Sequence, residues 1–363
     1  MKSLFVFTLV LLSLAANAQQ AGEPIDCFIK KTADSLMTAA RLPGIAIGIF
    51  KNGKEHYYEV GFADTARKTH FDKTTIFEAG SITKTLTAYI VEAVLKEQGI
   101  ADTSLIYAYL PDSIQANKAL KTITFKSLLN HTSGLSRLAS NVPSNSTQPY
   151  DNYTIDSLYK YLKTAEVKAD SKSNYSNTGV CLAGVLAQRI SGKAFQHLLE
   201  HYIWGSFKIS DAEKEQGYKK SQGYFTTGEV PYWNMDIYYP AGGLKTNCEQ
   251  MLGYLAAMAT PSTTMQKDVV EKVLTPTLDV SENLSIALGW HVLKLQGVPA
   301  IYLHNGGTYG FSTFAAFTKE KPAGVIIAIN KFNENQYADW LGIEIMKRLA
   351  TDNNDQRRIK AIP

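Results

Sequence analysis

The chain has 363 residues, with 37 Lys and Arg against 33 Asp and Glu, a net charge of +4. That charge is spread along the chain, and the Lys219-Lys220 pair sits among acids and tyrosines, so a nucleic-acid partner is excluded. Three cysteines, Cys27, Cys181 and Cys248, are too few for a disulfide framework, and with scattered histidines they imply no metal and no other cofactor.

The N-terminus reads as an export signal over residues 1–18: Lys2 supplies the positive start, Leu4 to Leu14 the apolar core, and Ala16-Asn17-Ala18 the cleavage site. The expected mature protein is periplasmic or secreted, monomeric, and has no integral membrane segment. Helical spacing runs from Cys27 to Arg41 and stops at Pro43. Gly44 to Phe50 is a β-branched apolar run, Asn52-Gly53 a hairpin turn, and Lys54 to Phe62 the partner strand. A buried-type helix then runs from Ser81 to Gly99.

Residues 101–208 read as mostly helical, with helices at Phe125 to His131, Ile155 to Leu162 and Asn177 to Tyr202. Cys181, in the last of these, reads as a buried small hydrophobe. Gln216 to Tyr239 concentrates tyrosines and Trp233 among Gly and Pro, as either a wall over a site or ordinary core. A helix from about Thr246 to Met258 follows. Strands are expected at Ile286 to Leu295, Ala300 to Leu303, Phe311 to Thr318 and Ala323 to Ile329, then a final helix at Tyr337 to Leu349. Strands at both ends and helices between them predict an α+β fold, a largely antiparallel sheet flanked by helices plus a mostly helical lobe.

The chemistry concentrates in three triplets. Ser81-Ile82-Thr83-Lys84 places a hydroxyl and an amine at i, i+3 on one helix face, a nucleophile beside its base. That spacing alone is weak, since it is expected about once by chance in such a chain and recurs at Ser157 and Lys160. Context separates the two. Ser81 follows Gly80 at the head of an apolar helix, whereas Ser157 lies on a polar amphipathic stretch. Tyr175-Ser176-Asn177 likewise has decoys at Tyr150-Asp151-Asn152 and Tyr232-Trp233-Asn234. His304-Asn305-Gly306 is the third.

In their order, with Leu128 to Leu135 (Leu-Leu-Asn-His-Thr-Ser-Gly-Leu) and Pro240-Ala241-Gly242-Gly243-Leu244, these motifs resemble the penicillin-recognising serine hydrolases. The branch is that of class C β-lactamases, D-alanyl-D-alanine carboxypeptidases, D-amino-acid amidases and esterases. The resemblance covers nearly all of residues 19–363. It implies a β-lactamase/transpeptidase-like fold, with the sheet lobe from about 25–100 and 240–350 and the helical lobe from about 101–239. It also implies an acyl-enzyme on Ser81, with Lys84 holding or accepting its proton and Tyr175 relaying it. Asn177, His304, Gly306 and Gly307 would bind a small-molecule or peptide substrate, and the backbone N–H groups of Ser81 and Gly307 would form the oxyanion hole. His131 is expected to fix a turn rather than to catalyse.

One departure shifts the expected substrate. His304 stands where class C β-lactamases carry the lysine of Lys-Thr-Gly, and a neutral histidine anchors a carboxylate poorly. The expectation is therefore a peptidase, amidase or esterase ahead of a β-lactamase proper. The rivals are a sensor domain that labels without turnover, and a carbohydrate binder that uses the aromatic segment.

Overall fold

The computed structural model describes residues 23–143, 146–168 and 173–351. The export signal expected over residues 1–18 lies outside the described residues. In chain order, the elements that frame the site begin with α1 (Ile25–Ala40), β1 (Gly44–Lys51) and β2 (Lys54–Gly61). There follow α2 (Thr83–Glu97), α3 (Ile155–Leu162), α4 (Asn177–Ser191), α5 (Cys248–Ala259) and α6 (Thr264–Leu274). The chain then forms β3 (Leu278–Ser281), β4 (Leu284–Ile286), β5 (His291–Leu293), β6 (Ile301–Gly307), β7 (Ser312–Thr318), β8 (Ala323–Ile329) and α7 (Asn335–Thr351).

The strands form one eight-stranded sheet in the order β2-β1-β8-β7-β6-β5-β4-β3, antiparallel throughout. The first strand, β1, therefore pairs with the last, β8, Ile45 opposite Ile329, and β2 forms the edge beyond it. Asn52 and Gly53 both have positive φ, 53° and 73°, the primed turn that matches the twist of a two-residue hairpin. Alternation along the central strands divides the apolar core. Ile45, Ile47, Ile49, Val325 and Ile327 pack under α1 and α7, while Ala46, Phe50, Ile326 and Ala328 join α2, α4 and α5 on the other face.

Three expectations change. The helix from Asn177 ends at Ser191, because Gly192 turns left-handed (φ 69°) and caps it; the chain restarts as a short helix at Phe195 and a wide π-type turn over Glu200–Gly205. The strand expected over Ile286 to Leu295 is two strands, β4 and β5, which pair with each other across a turn at Gly289. Helix α6 had no counterpart in the sequence reading; its Thr263 and Gln266 form a capping box. The three cysteines are free thiols, with Cys27 exposed and Cys181 and Cys248 buried.

Candidate active site

The site is built where the start of α2 meets the end of β6. Gly80 adopts a left-handed φ of 54°, which directs the chain through a single 3-10 turn, Gly80–Ile82, into α2. A Cβ on Gly80 would lie 2.7 Å from the Gly307 nitrogen, and one on Gly306 only 2.0 Å from the Ala79 oxygen. The Ala79-Gly80 backbone and the Gly306-Gly307 backbone thus touch, and only glycines permit it. Thr313 of β7 fastens the contact by donating to the Ala79 carbonyl at 2.9 Å. The amide nitrogens of Ser81 and Gly307 consequently belong to two adjoining backbone segments, and Gly307 is exposed.

Thr83 holds the head of α2 by donating to the Gly80 carbonyl at 2.6 Å. Lys84, one turn after Ser81, is fully buried, and its Nζ donates to Ser81 Oγ at 2.9 Å and also to the Ala241 carbonyl. That carbonyl belongs to the Pro240-Ala241-Gly242-Gly243 motif, which Thr87 also grips through Pro240 at 2.6 Å. Burial holds the Lys84 ammonium well below the usual lysine range, and the Arg137 charge pushes it further down. Both effects favour the neutral amine over the ammonium.

Tyr175 approaches from the start of α4. Ser176 caps that helix by accepting from Gly179 N at 2.9 Å, and its hydroxyl donates to the Ser136 carbonyl at 2.8 Å. The Ser176 amide donates to His131 Nδ1 at 3.2 Å, and the His131 ring lies 4.3 Å from that of Tyr175. His131 therefore holds the tyrosine loop in place. Burial, first of all, holds its imidazole well below the ordinary histidine range. The Tyr175 hydroxyl is hydrogen-bonded to Ser81, and Lys84 Nζ lies 4.9 Å from its ring centre. Burial pushes the phenol up to about 12, opposed by the Ser81 bond and by Arg137, so it stays protonated at neutral pH.

Asn177, the first residue of α4, has its backbone tied to the Arg137 carbonyl at 2.9 Å. Its amide bonds the Tyr150 hydroxyl, and its Oδ1 is buried without a partner. His304 and Gly306 point to the site face of β6, whereas Asn305 points away and donates to Asp339 of α7 at 2.8 Å. The His304 ring is buried 6.4 Å from Tyr175 and 5.4 Å from His291. Its Nδ1 contacts the Asn305 carbonyl, and its Nε2 meets no hydrogen-bond partner. Burial, then His291 and Lys84, holds it well below the ordinary histidine range. So Ser81, Lys84 and Tyr175 meet directly, while His304 stands behind them as a neutral ring.

Several neighbours escaped the sequence reading. Tyr150, set aside as a decoy, borders the site through Asn177, whereas Ser157 lies away from it on α3, its amide donating to the N-cap Thr154 Oγ1 at 3.4 Å. The aromatic segment contributes to the core and to a surface cluster. Tyr238 is wholly buried core, while Trp233 packs between Tyr150 (5.3 Å) and Tyr309 (4.9 Å). Glu78 is buried beneath this cluster, accepting from Trp233 N at 2.6 Å and Thr308 Oγ1 at 2.8 Å. Its nearness to Gly80-Ser81 in sequence was the only available signal. Among the described residues no cluster of potential metal ligands occurs, and no helix is long and apolar enough to cross a membrane.

The β-lactamase family profile matches residues 29–346. A β-lactamase of Psychrobacter immobilis is 26% identical over 375 residues, spanning 91% of this chain and 89% of its own. One from Providencia stuartii is 25% identical over 369 residues, spanning 90% of each. The crystal structure of a β-lactamase/D-alanine carboxypeptidase from Pseudomonas syringae matches with a TM-score of 0.76 at 21% identity, covering 89% of this chain and 98% of that one. With most of its length matched and the fold shared, the chain belongs to the β-lactamase family of serine hydrolases.

Proposed function

We propose that the protein is an exported acyl-transfer hydrolase that cleaves amide, peptide or ester bonds through a Ser81 acyl-enzyme. The observation that carries this reading is the 2.9 Å contact between Ser81 Oγ and a buried Lys84 whose ammonium form burial disfavours. Ser81 Oγ attacks the substrate carbonyl carbon as its proton passes to Lys84 Nζ. The carbonyl oxygen takes up the charge and accepts from the Ser81 and Gly307 amides, donors that contribute about 3 kcal/mol each at such sites. Tyr175 gives its phenolic proton to the leaving nitrogen or oxygen, the C–N or C–O bond breaks, and Lys84 returns its proton to the phenolate. Water then releases the acyl group by the same transfers in reverse order. Asn177 Oδ1, buried and unpartnered, is suited to accept a substrate N–H.

Within the family we infer a peptidase, amidase or esterase, not an efficient β-lactamase. The support is His304, a buried neutral ring where a lysine would keep a permanent cation. The D-alanine carboxypeptidase in the name of the Pseudomonas syringae protein fits the same branch. The N-terminal Lys2, Leu4 to Leu14 and Ala16-Asn17-Ala18 pattern supports export.

The test is stoichiometric covalent labelling by a penicillin or a fluorophosphonate, expected in the wild type and lost in Ser81→Ala. Labelling that survives the substitution refutes the nucleophile; labelling without turnover favours a sensor. A panel of a cephalosporin, a D-alanyl peptide and a short-chain ester then separates the substrate classes, with the cephalosporin expected to be slowest.

A further inference from the structure

The mouth of the site carries a cation that none of the sequence motifs contained. Arg137 follows Leu135-Ser136 on the loop after His131, and it is exposed. Its guanidinium carbon sits 5.0 Å from the centre of the Tyr175 ring. The backbone beneath it is fastened at three points. Its own carbonyl accepts from Asn177 N at 2.9 Å and Thr178 N at 3.3 Å, and the preceding carbonyl accepts from Ser176 Oγ at 2.8 Å. The loop is thus pinned to the head of α4, the turn that delivers Tyr175 and Asn177. Stacking on the phenol limits the arginine's freedom further, and a stacked guanidinium still presents its N–H edge to an anion.

The opposite wall offers no such charge. Strand β6 presents His304, buried and neutral, and two glycines. Lys84 is itself buried and engaged with Ser81 and Ala241. Arg137 is the one cation whose charge reaches Lys84, Tyr175, Tyr150 and His131 together among the described residues. An anionic substrate group therefore meets its counter-charge on the Tyr175 side of the cleft, not on the strand.

We propose that Arg137 is the anion anchor of this site, a specificity-determining residue that binds a carboxylate carried by the substrate. The favoured substrates are then acidic amides, peptides or esters. This inference rests on the reading of Ser81 as the nucleophile. Arg137 pairs with the carboxylate by a charge-assisted, geometrically bidentate contact, and no bond is made or broken in it.

Two matched ester pairs test it. Mono-p-nitrophenyl adipate against p-nitrophenyl hexanoate places the carboxylate on the acyl arm, and 4-carboxyphenyl hexanoate against phenyl hexanoate places it on the leaving arm. We expect the wild type to have a lower KM for the charged member of at least one pair. Arg137→Ala should then raise the charged-to-neutral KM ratio about tenfold, the size of one charge-assisted hydrogen bond at a half-open site. Arg137→Lys should restore part of the ratio, and added salt should erode it. The Ala variant should also move the acid limb of the pH profile upward for all four esters, because Lys84 loses a neighbouring cation.

A KM ratio that Arg137→Ala leaves unchanged in both pairs overturns the proposal. So does a wild type without preference for either charged ester, including one that cleaves none of the four. If Ser81→Ala keeps fluorophosphonate labelling, the nucleophile reading fails instead. The two failures are thereby told apart.

Discussion

Lys84 is an amine carried into the core and kept there by a serine hydroxyl and one peptide carbonyl. Solvation would favour its ammonium form; burial removes that solvation, and Arg137 adds repulsion, so the proton leaves far below lysine's ordinary pKa. As the proposed base, Lys84 is active when unprotonated, so activity should fall as pH drops through this depressed value. A kcat/KM profile is expected to lie on its plateau at neutral pH. An acid limb near the lysine value of ~10.5 would contradict the assignment of Lys84 as base. On the alkaline side Tyr175, pushed up to about 12, keeps its proton across the same range. Burial moves the amine and the phenol in opposite directions, toward the acceptor and donor roles proposed for them.

Among the elements, the decisive contact is between the turn that begins α2 and the end of β6. Gly306 lies against Ala79, with β7 behind it through Thr313, and Asn335 of α7 donates to the Gly306 carbonyl at 2.7 Å. The strand end that carries Gly307 is thus fixed from both sides, by Thr313 and Asn335. Gly306→Ala would place a methyl 2.0 Å from the Ala79 oxygen and 2.3 Å from Thr313 Oγ1. The strand end must move, and loss of the oxyanion donor proposed at Gly307 is expected to lower kcat about 10²- to 10³-fold. Circular dichroism on the same sample checks that the fold persists; a kcat within tenfold of wild type would show that Gly307 is not such a donor. Helix α4 makes a comparable delivery, since its Ser176 cap and His131 together set where Tyr175 can reach.

At the scale of the whole molecule, one sheet serves two apolar clusters. Phe314 and Ala316 of β7 face α7, while Ala315 and Phe317 face the helical side, so neither cluster can be lost without exposing the other. Denaturation followed by far-UV circular dichroism and by tryptophan fluorescence should therefore give superimposable curves. Trp204 and Trp290 report from the helical side and Trp340 from α7. Ser81 labelling should vanish in the same transition. Loss of labelling at lower denaturant would mean that the seam between α2 and β6 opens first.

Local pattern alone determined a good deal here. The hairpin at Asn52-Gly53, the apolar helix after Ser81 and the antiparallel strands near the C-terminus follow from turn chemistry and from hydrophobic periods of two and 3.6, which act between neighbours in sequence. The Ser81 and Lys84 pairing was legible for the same reason, since one helical turn suffices to join them. What the tertiary structure decided lies across long separations. Tyr150, dismissed as a decoy, reaches Asn177; the Ala241 carbonyl reaches Lys84; Arg137 reaches Tyr175. His304 entered the sequence reading as a substrate contact, and it is the fold that encloses it with His291 and removes its charge. Burial and electrostatic surroundings are properties of packed neighbours, and no window of sequence contains them.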